Sequence, residues 1–589
     1  MSDDLKTLFN QSATESTEES ATSTDDKIPK VFHYHTETKH NFNRFARSLG
    51  YLDWATQPDP FRRYTGAQTL LLPFTETDKT PAYLKLFEGR VSPANVSIET
   101  IGQLFERSLA ISAWKEFHDS RWALRVNPSS GNLHPTEGYL IIGANESRPA
   151  MVCHYAPREH GLEVRSTFDD DIWNELTRDF PAGSFFVGLS SIHWREAWKY
   201  GERAFRYCQH DIGHALAALR ISAAVLGWRL VVLEGLGDND IAKITGLSRD
   251  EDFIDAEREH PDLLAAIIPT ADQSTIPLNL PSACIDKIAE GNWFGKANRL
   301  SRDHHPWSII DEVAEACLKP RTSSQSIIEI LPITKSVTDE ISNGSELTAH
   351  GIILQRRSAV AFDGMTEISA KDFYHVLGRT MPLDRATKTP SIPFDSTIWP
   401  PAVHLCLFVH RVRELLPGLY ILVRNTSGLD SLREEMRKDF LWEKPPGCPA
   451  DLPLYFLVEG NCQRIAAEVS CGQDIAGDSA FSLGMVAEFQ HSLYTIGPWQ
   501  YRRLFWECGM IGQVLYLEAE ALGIRATGIG CYFDDPVHDL FGFNDWKYQS
   551  LYHFTVGGPV EDTRLTTRPP YSDEQRKRNC TDVLVNLER

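Results

Sequence analysis

The sequence predicts an α+β fold that is built from two related halves. Short apolar runs typical of strands (GYLII, HLCLFVH, LYILV and LYFLV) are separated by helical patterns, which favours mixed or antiparallel sheets flanked by helices. A segment that runs from Arg206 to Gly246 also recurs, without a gap, from Arg502 to Gly542. A two-copy repeat of this length indicates a duplicated domain rather than a solenoid.

Each copy of the repeat predicts a helix, a short strand and a second helix that begins at an aspartate and ends at a glycine. The first helices, at about 203–226 and 502–522, have almost no polar face, so we expect them to be buried or to lie in an interface. The equivalent positions include Arg206 and Arg502, Gly213 and Gly509, and Asp238 and Asp534.

Four regions follow one another along the chain. Residues 1–30 are rich in Ser, Thr and acidic residues, which predicts a disordered acidic tail. Residues 31–318 form the first half, and the polar stretch 319–350 is interpreted as a linker. Residues 351–589 form the second half, which we expect to end in an extended C-terminal arm.

Composition excludes several classes of partner. The net charge of −21 argues against a nucleic-acid or anionic-membrane surface. The longest apolar runs are too short or too interrupted to span a bilayer, and no signal-peptide pattern opens the chain. The 11 cysteines include no CxxC pair, which is typical of reduced thiols. We therefore expect a cytoplasmic protein that contacts neither nucleic acid nor membrane.

Three short motifs have the chemistry of a binding site. The loop PSSGN supplies polar side chains from Ser129, Ser130 and Asn132 just before a strand. The second half opens with Arg356, Arg357 and Ser358, whose guanidiniums suit a phosphate or a polarised ring carbonyl. Gly528 and Gly530 end a strand ahead of a helix, where a turn can expose backbone N–H groups. Taken singly, a plain turn or a solvated helix start explains each of these motifs.

Together and in this order, the motifs resemble the flavin-dependent nitroreductase superfamily, which has an Arg-Arg-Ser start, a Pro-Ser-Ser-x-Asn loop and a late glycine turn. The sequence is most similar to the SagB-type dehydrogenase branch, which includes azoline oxidases of peptide pathways. The similar parts are PSSGNLHPTE at 128–137 and FRYCQHDIGH at 205–214. The resemblance covers roughly residues 100–250 and 350–570.

The resemblance implies two fused nitroreductase-like domains that form a pseudo-dimer within one chain and bind FMN at their interface. In this family one subunit supplies Arg-Arg-Ser and the glycine turn, and the other supplies the Pro-Ser-Ser loop. Here the second half has Arg356, Arg357, Ser358, Gly528 and Gly530, and the first half has the loop. One intact FMN site is therefore expected.

The expected second site is degenerate, although Glu234-Gly235 resembles the family's Glu-Gly turn and leaves residual binding open. The resemblance further implies that Gly530 places an N–H near the flavin N5, and that Arg564 or Arg568 of the C-terminal arm closes on the phosphate. NAD(P)H remains open as the hydride donor.

Other features are interpreted more plainly. His210 and His214, with Cys208 nearby, lack further ligands at recognisable spacing, so no metal site is expected. The cluster at 196–203 is interpreted as pocket wall or surface rather than a base, and catalytic residues are not identified. The expected substrate is a small molecule or a peptide, and a homodimer is left open. The alternatives are an NAD(P)H-dependent nitro- or quinone-reductase and a non-catalytic flavin-binding scaffold.

Overall fold

The computed structural model describes residues 24–76, 78–88, 91–146, 148–272, 274–322, 327–330, 347–384 and 389–587. Most of the expected acidic tail and the central part of the expected linker lie outside these residues. A helix begins at Thr24, within the stretch expected as tail. At the linker's two ends, Ile327–Ile330 is a strand that pairs with Ser274–Pro277, and a helix covers Ala349–Gln355.

Two antiparallel sheets dominate the described part of the chain, which confirms the α+β prediction. The sheet of the first half has seven strands, in the spatial order Thr69–Leu71, Gly161–Phe168, Ala150–Ala156, Thr136–Ile142, Phe185–Ser191, His260–Ile268 and Arg229–Val232. The sheet of the second half has six, in the order Leu454–Glu459, Gly418–Leu422, Val403–Val409, Phe481–Glu488, Tyr548–Gly557 and Arg525–Ile529. The four strand-like runs of the sequence are all strands of these sheets.

The two sheets repeat one topology. Without the edge strand Thr69–Leu71, each sheet places its six strands in the order third, second, first, fourth, sixth and fifth along the chain. The duplication seen in the sequence from Arg206 and Arg502 therefore extends to the architecture of both halves.

Helices cover the sheets and fill the space between them. The α-helices of the described residues are Thr24–Glu37, Ile98–Glu106, Asp170–Leu176, His193–Tyr200, Ala204–Val225, Asp238–Thr245, Ser282–Ala289, Ser308–Ala316, Ala349–Gln355, Ala370–Arg379, Leu429–Glu435, Gln463–Val469, Asp474–Gly477, Phe489–Ile496, Gln500–Ala521, Asp534–Phe541 and Asp573–Leu587. None of the helices within these described ranges combines the length and the apolar character that a membrane span requires.

The two repeated helices, Ala204–Val225 and Gln500–Ala521, pack against each other at the centre of the molecule and are here called the central helices. Every residue of the first is buried, as are all but the last two residues of the second, which confirms the expectation from their missing polar face. They cross at the equivalent glycines 213 and 509. A Cβ on Gly509 would lie 2.8 Å from the Cα of Gly213, so only glycine lets the backbones approach this closely.

Two reciprocal ion pairs join the repeat copies. Arg206 of the first copy donates to Asp534 of the second at 2.8 Å, and Arg502 of the second donates to Asp238 of the first at 2.6 Å. Because 206 and 502 are equivalent, as are 238 and 534, each contact is the mirror of the other. Such reciprocity is what an isologous two-fold interface between subunits shows.

The C-terminal arm crosses from the second half to the first. Thr566–Arg568 forms a strand that pairs with Ile111–Phe117, which in turn pairs with Ser120–Arg125. Beyond it, Tyr571 donates its hydroxyl to the carbonyl of Pro157 at 2.7 Å and is buried against the first half. The arm therefore adds a covalently continuous link between the two halves.

Candidate functional site

A cavity of about 430 Å³ lies where the two halves meet, and it brings the three predicted motifs together. Pockets of this volume are typical of small-molecule and cofactor sites. Its walls include Ser129, Ser130 and Asn132 from the first half, and Arg356, Arg357, Ser358, Gly528 and Gly530 from the second. Segments more than 200 residues apart therefore share one pocket.

The PSSGN loop of the first half is held by a buried carboxylate. The loop makes one 3-10 turn at Ser130–Asn132, and Asn132 donates its side-chain amide to the carbonyl of Ala123 at 2.8 Å. The backbone N–H and the hydroxyl of Ser130 both donate to Asp211, at 3.2 and 3.3 Å. The loop therefore lies directly over the first central helix, which carries Asp211.

Asp211 and Glu196 form a buried acidic pair beside this loop. Burial is the main cause that raises the pKa of Asp211 to about 7, against an ordinary value of 3.8. Burial, and then the neighbouring Asp211, raises the pKa of Glu196 well above its usual range. One of these carboxyls can therefore hold or release a proton near neutral pH.

The guanidinium of Arg356 spans the junction between the halves. Its Nη2 donates to the backbone carbonyls of Arg125 and Val126, each at 3.0 Å, and the group lies 4.9 Å from the centre of the Tyr516 ring. Its Nε is buried without a hydrogen-bond partner among the described residues. Arg356 is thus fixed against the first half and keeps one donor unused.

Arg357 and Ser358 lie beside it in the pocket wall. Arg357 donates to the carbonyl of Leu354 at 2.8 Å and, across the junction, to that of Ser112 at 3.0 Å. The hydroxyls of Ser358 and Tyr516 are 2.8 Å apart. Both residues are therefore held by hydrogen bonds, and their remaining surface faces the cavity.

Several cations converge on one part of the pocket. Burial and then Arg356 lower the pKa of Arg357 to about 10, with Arg525 also contributing. The pKa of Lys115 is lowered, first by burial and then by Arg357. A lowered pKa shows that the charged forms of Arg357 and Lys115 are disfavoured in this wall. A nearby anion would stabilise those charged forms, so this part of the wall suits a phosphate. Lys115 carries no sequence motif, and Arg525 stands out only by its place in the repeat, so neither was predicted as a pocket residue.

The glycine turn 528–530 packs closely on aromatic rings. The N–H of Gly528 donates to the hydroxyl of Tyr516 at 3.0 Å, and the carbonyl of Gly530 accepts from the hydroxyl of Tyr207 at 3.1 Å. A Cβ on Gly530 would lie 3.0 Å from Cδ1 of Tyr207 and closer still to Cε1, so a side chain there would displace the ring.

Some of the other residues singled out in the sequence line the cavity and some do not. Arg568 does not line this cavity, because strand pairing places it against Glu116, to which it donates at 2.9 Å. Arg564 pairs with Asp562 at 2.8 Å. His214 lines the cavity, with Nε2 3.2 Å from the hydroxyl of Tyr552, whereas His210 lies 2.9 Å from the carbonyl of Leu551. In the expected wall cluster 196–203, Tyr200 lines the cavity.

Comparison with known proteins agrees with these motifs. Residues 92–256 match the model of the Nitroreductase family. The chain is therefore similar to this family over residues 92–256. A curated protein of Methanocaldococcus jannaschii that is assigned as a nitroreductase is 28% identical over 128 residues, which is 20% of this chain and 61% of that protein. The chain therefore matches only about three-fifths of that relative's length.

A structural likeness extends beyond residues 92–256. A crystal structure from Anabaena variabilis, also assigned as a nitroreductase, superimposes with a TM-score of 0.63 at 19% identity and covers 90% of this chain and 99% of the other. A match of that extent must include both sheets, so the two proteins share their fold over nearly their whole length. The NADPH:FMN oxidoreductase of Vibrio harveyi, complexed with NAD+, is 12% identical, with a TM-score of 0.21 and coverage of 40% and 84%.

The first copy of the repeat has different residues at the positions equivalent to the glycine turn. Glu234 is the counterpart of Gly530, and Arg503 is the counterpart of Tyr207. Here the two side chains form an ion pair, with Arg503 donating to Glu234 at 2.8 Å. Where one copy has a glycine facing an aromatic ring, the other has a carboxylate held by an arginine.

Proposed function

We propose that this chain is an FMN-dependent oxidoreductase that carries out two-electron hydride transfer. The observation that supports it is the single pocket in which the PSSGN loop of one half meets the Arg-Arg-Ser motif and the glycine turn of the other. Within the superfamily we assign it to the SagB-type dehydrogenase branch, because of its PSSGNLHPTE loop and the FRYCQHDIGH helix. The family domain by itself identifies only a nitroreductase-like oxidoreductase.

The residues of the pocket fit FMN. Arg357 and Lys115 would hold the phosphate, because each is a cation whose pKa is lowered by burial and by neighbouring positive charge. Arg525 would join them by exchanging its ion pair with Glu561, at 2.7 Å, for the phosphate. The unused Nε of Arg356 would donate to the phosphate or to the ribityl chain. When bound, the flavin would supply the hydride chemistry, and the protein would supply its position and surroundings.

The remaining groups would orient the ring and handle protons. Ser129, Ser130 and Asn132 would face the isoalloxazine from the first half, and Gly530 would offer a backbone N–H from the second. Asp211, whose pKa is about 7, can hold or release a proton at its carboxylate oxygens close to the loop that it anchors.

We further propose that the chain is an intramolecular pseudo-dimer with one working site. The common strand order of the two sheets and the reciprocal pairs Arg206–Asp534 and Arg502–Asp238 support a two-fold relation between the halves. The ion pair between Arg503 and Glu234 supports the loss of the second site, because it occupies positions equivalent to Tyr207 and Gly530. We propose a cytoplasmic location and a small-molecule or peptide substrate, with no nucleic-acid or membrane partner.

Flavin stoichiometry tests this proposal. Flavin is released from the purified chain by heat and measured against protein, and we expect about one FMN per chain. A ratio near two would contradict the single site, and a protein without flavin would contradict the cofactor.

Anaerobic addition of NADH or NADPH then separates the candidate activities. Loss of the flavin's visible absorbance would favour a nitro- or quinone-reductase, whereas a flavin that stays oxidised would favour a dehydrogenase. In the second case we expect bleaching only with the substrate of the dehydrogenase.

A further inference from the structure

Two cysteines and a histidine meet at the wall of the pocket. Cys531 follows Gly530 directly and lines the cavity, and Cys471 lies two residues beyond the helix Gln463–Val469. His40 comes from the segment after the first helix of the described chain and is buried. The Sγ atoms of the two cysteines and a ring nitrogen of His40 all lie within 4.8 Å of one another.

Two hydrogen bonds hold the segments of the two cysteines next to each other. The N–H of Phe533 donates to the carbonyl of Val469 at 2.8 Å. Gln473, two residues after Cys471, donates its side-chain amide to the carbonyl of Cys531 at 3.0 Å. These two bonds bracket the pair, and the cysteine Sγ atoms are 2.7 Å apart.

The two thiols have opposite electrostatic environments. The hydrogen-bonding contact with Cys471 is the main cause that lowers the pKa of Cys531 to about 5, and His40 lowers it further. The same contact raises the pKa of Cys471 well above its usual range. At neutral pH the pair is one thiolate and one thiol, which is the state from which disulfide chemistry proceeds.

We propose that Cys471 and Cys531 are a redox-active dithiol that exchanges two electrons with the cofactor of this pocket. This inference rests on the proposed flavin function. In the oxidation step the S–H bond of Cys471 breaks and an S–S bond forms to Cys531. The pair would give up two electrons and one proton, equal to one hydride, to an oxidised flavin bound in this pocket. The reverse step would reduce the disulfide.

A metal site fits the same residues less well. Two thiolates on one tetrahedral zinc lie about 3.7 Å apart, because each Zn–S bond is about 2.3 Å long. The observed separation of 2.7 Å is shorter than that. A structural zinc site needs four protein ligands, and the cluster found among the described residues offers three. The geometry therefore favours sulfur–sulfur chemistry over coordination.

Anaerobic reduction with dithiothreitol tests the inference in the full chain with its flavin. We expect dithiothreitol to bleach the wild-type flavin through the dithiol. After aerobic reoxidation and trapping of free thiols with N-ethylmaleimide, we expect a disulfide-linked peptide pair that contains Cys471 and Cys531. Cys471 does not line the cavity, so Cys471→Ser should retain the flavin. It should lose both the bleaching by dithiothreitol and the disulfide-linked peptide pair. Cys531→Ser should lose both as well.

Cys448→Ser is the matched control, since Cys448 is also a half-buried cysteine outside any disulfide and is not among the residues that line the cavity. It should keep both signals. Equal bleaching in Cys471→Ser and in the wild type would overturn the inference, as would a wild type that does not bleach. One zinc per chain that is lost in Cys471→Ser would also overturn it. A protein without flavin fails at the proposed function, whereas a flavin-loaded protein without thiol coupling fails only here.

Discussion

Gly530→Ala should weaken FMN binding by pushing an aromatic ring of the first half into the pocket. The new Cβ would lie 3.0 Å from Cδ1 of Tyr207 and still closer to Cε1, where ordinary contacts are 3.4–4 Å. Tyr207 is buried, so its ring can move only towards the cavity that it lines. Overpacking of this kind costs about 1–3 kcal/mol, which corresponds to a loss of about 5- to 150-fold if the cost falls on the bound state.

The dissociation constant of FMN, measured by titration of flavin-free protein, checks the size of this effect. Gly460→Ala is the matched control, because a Cβ there meets no atom within 4 Å, and it should bind FMN as the wild type does. Adding Tyr207→Leu to Gly530→Ala should restore part of the affinity by removing the ring. Wild-type affinity in Gly530→Ala would refute the placement of the turn against the ligand.

Three other changes test the junction and the acidic pair. Arg356→Ala removes two hydrogen bonds of a charged donor to backbone carbonyls, so the free energy of unfolding in urea should fall by about 3–5 kcal/mol, with only partial recovery in Arg356→Lys. Asp534→Asn breaks a buried ion-pair network and should cost about 3–5 kcal/mol, whereas the half-exposed Asp535→Asn should cost about 1 kcal/mol or less in the same assay. The pKa of Asp211 is about 7 in the folded state, against an ordinary value of 3.8. Between about pH 4 and pH 7 the carboxyl is therefore protonated in the folded state and ionised in the unfolded state. The free energy of unfolding of the wild type should fall as pH rises through this window. Asp211→Asn should therefore gain stability relative to the wild type over that window in pH-dependent urea unfolding, and a constant difference would contradict the burial of the carboxylate.

The fold was accessible from the sequence because its signals are local or repeated. The apolar runs and the helix without a polar face each reflect one element, and the repeat from Arg206 and Arg502 showed that the elements recur in the same order. The residues predicted for the pocket, apart from Arg568, were also accessible, since PSSGN, Arg-Arg-Ser and the glycine turn are contiguous motifs that the fold brings together.

The rest of the site depends on contacts that no local pattern encodes. Asp211 is an acidic residue on an otherwise apolar helix, which the sequence shows. Its neighbour in the acidic pair, Glu196, lies on another helix, and no local pattern links the two. Cys471 and Cys531 are 60 positions apart, so spacing rules for paired cysteines do not detect them. Arg568 was expected near the phosphate, but the register of a short strand directs it to Glu116 instead.

The packing of the central helices has a consequence for how the chain is made. The first helix is complete at Val225, and its partner begins only at Gln500. At about 5–20 residues per second, a ribosome needs roughly 14–55 s to synthesise the intervening chain. Throughout that time the face of the first helix that packs against Gln500–Ala521 in the final structure stays uncovered, although its other contacts are with the first half. The first half therefore emerges with an uncovered apolar surface of the kind that chaperones bind, and we expect that a second nascent chain supplying its own Gln500–Ala521 helix would produce a domain-swapped dimer.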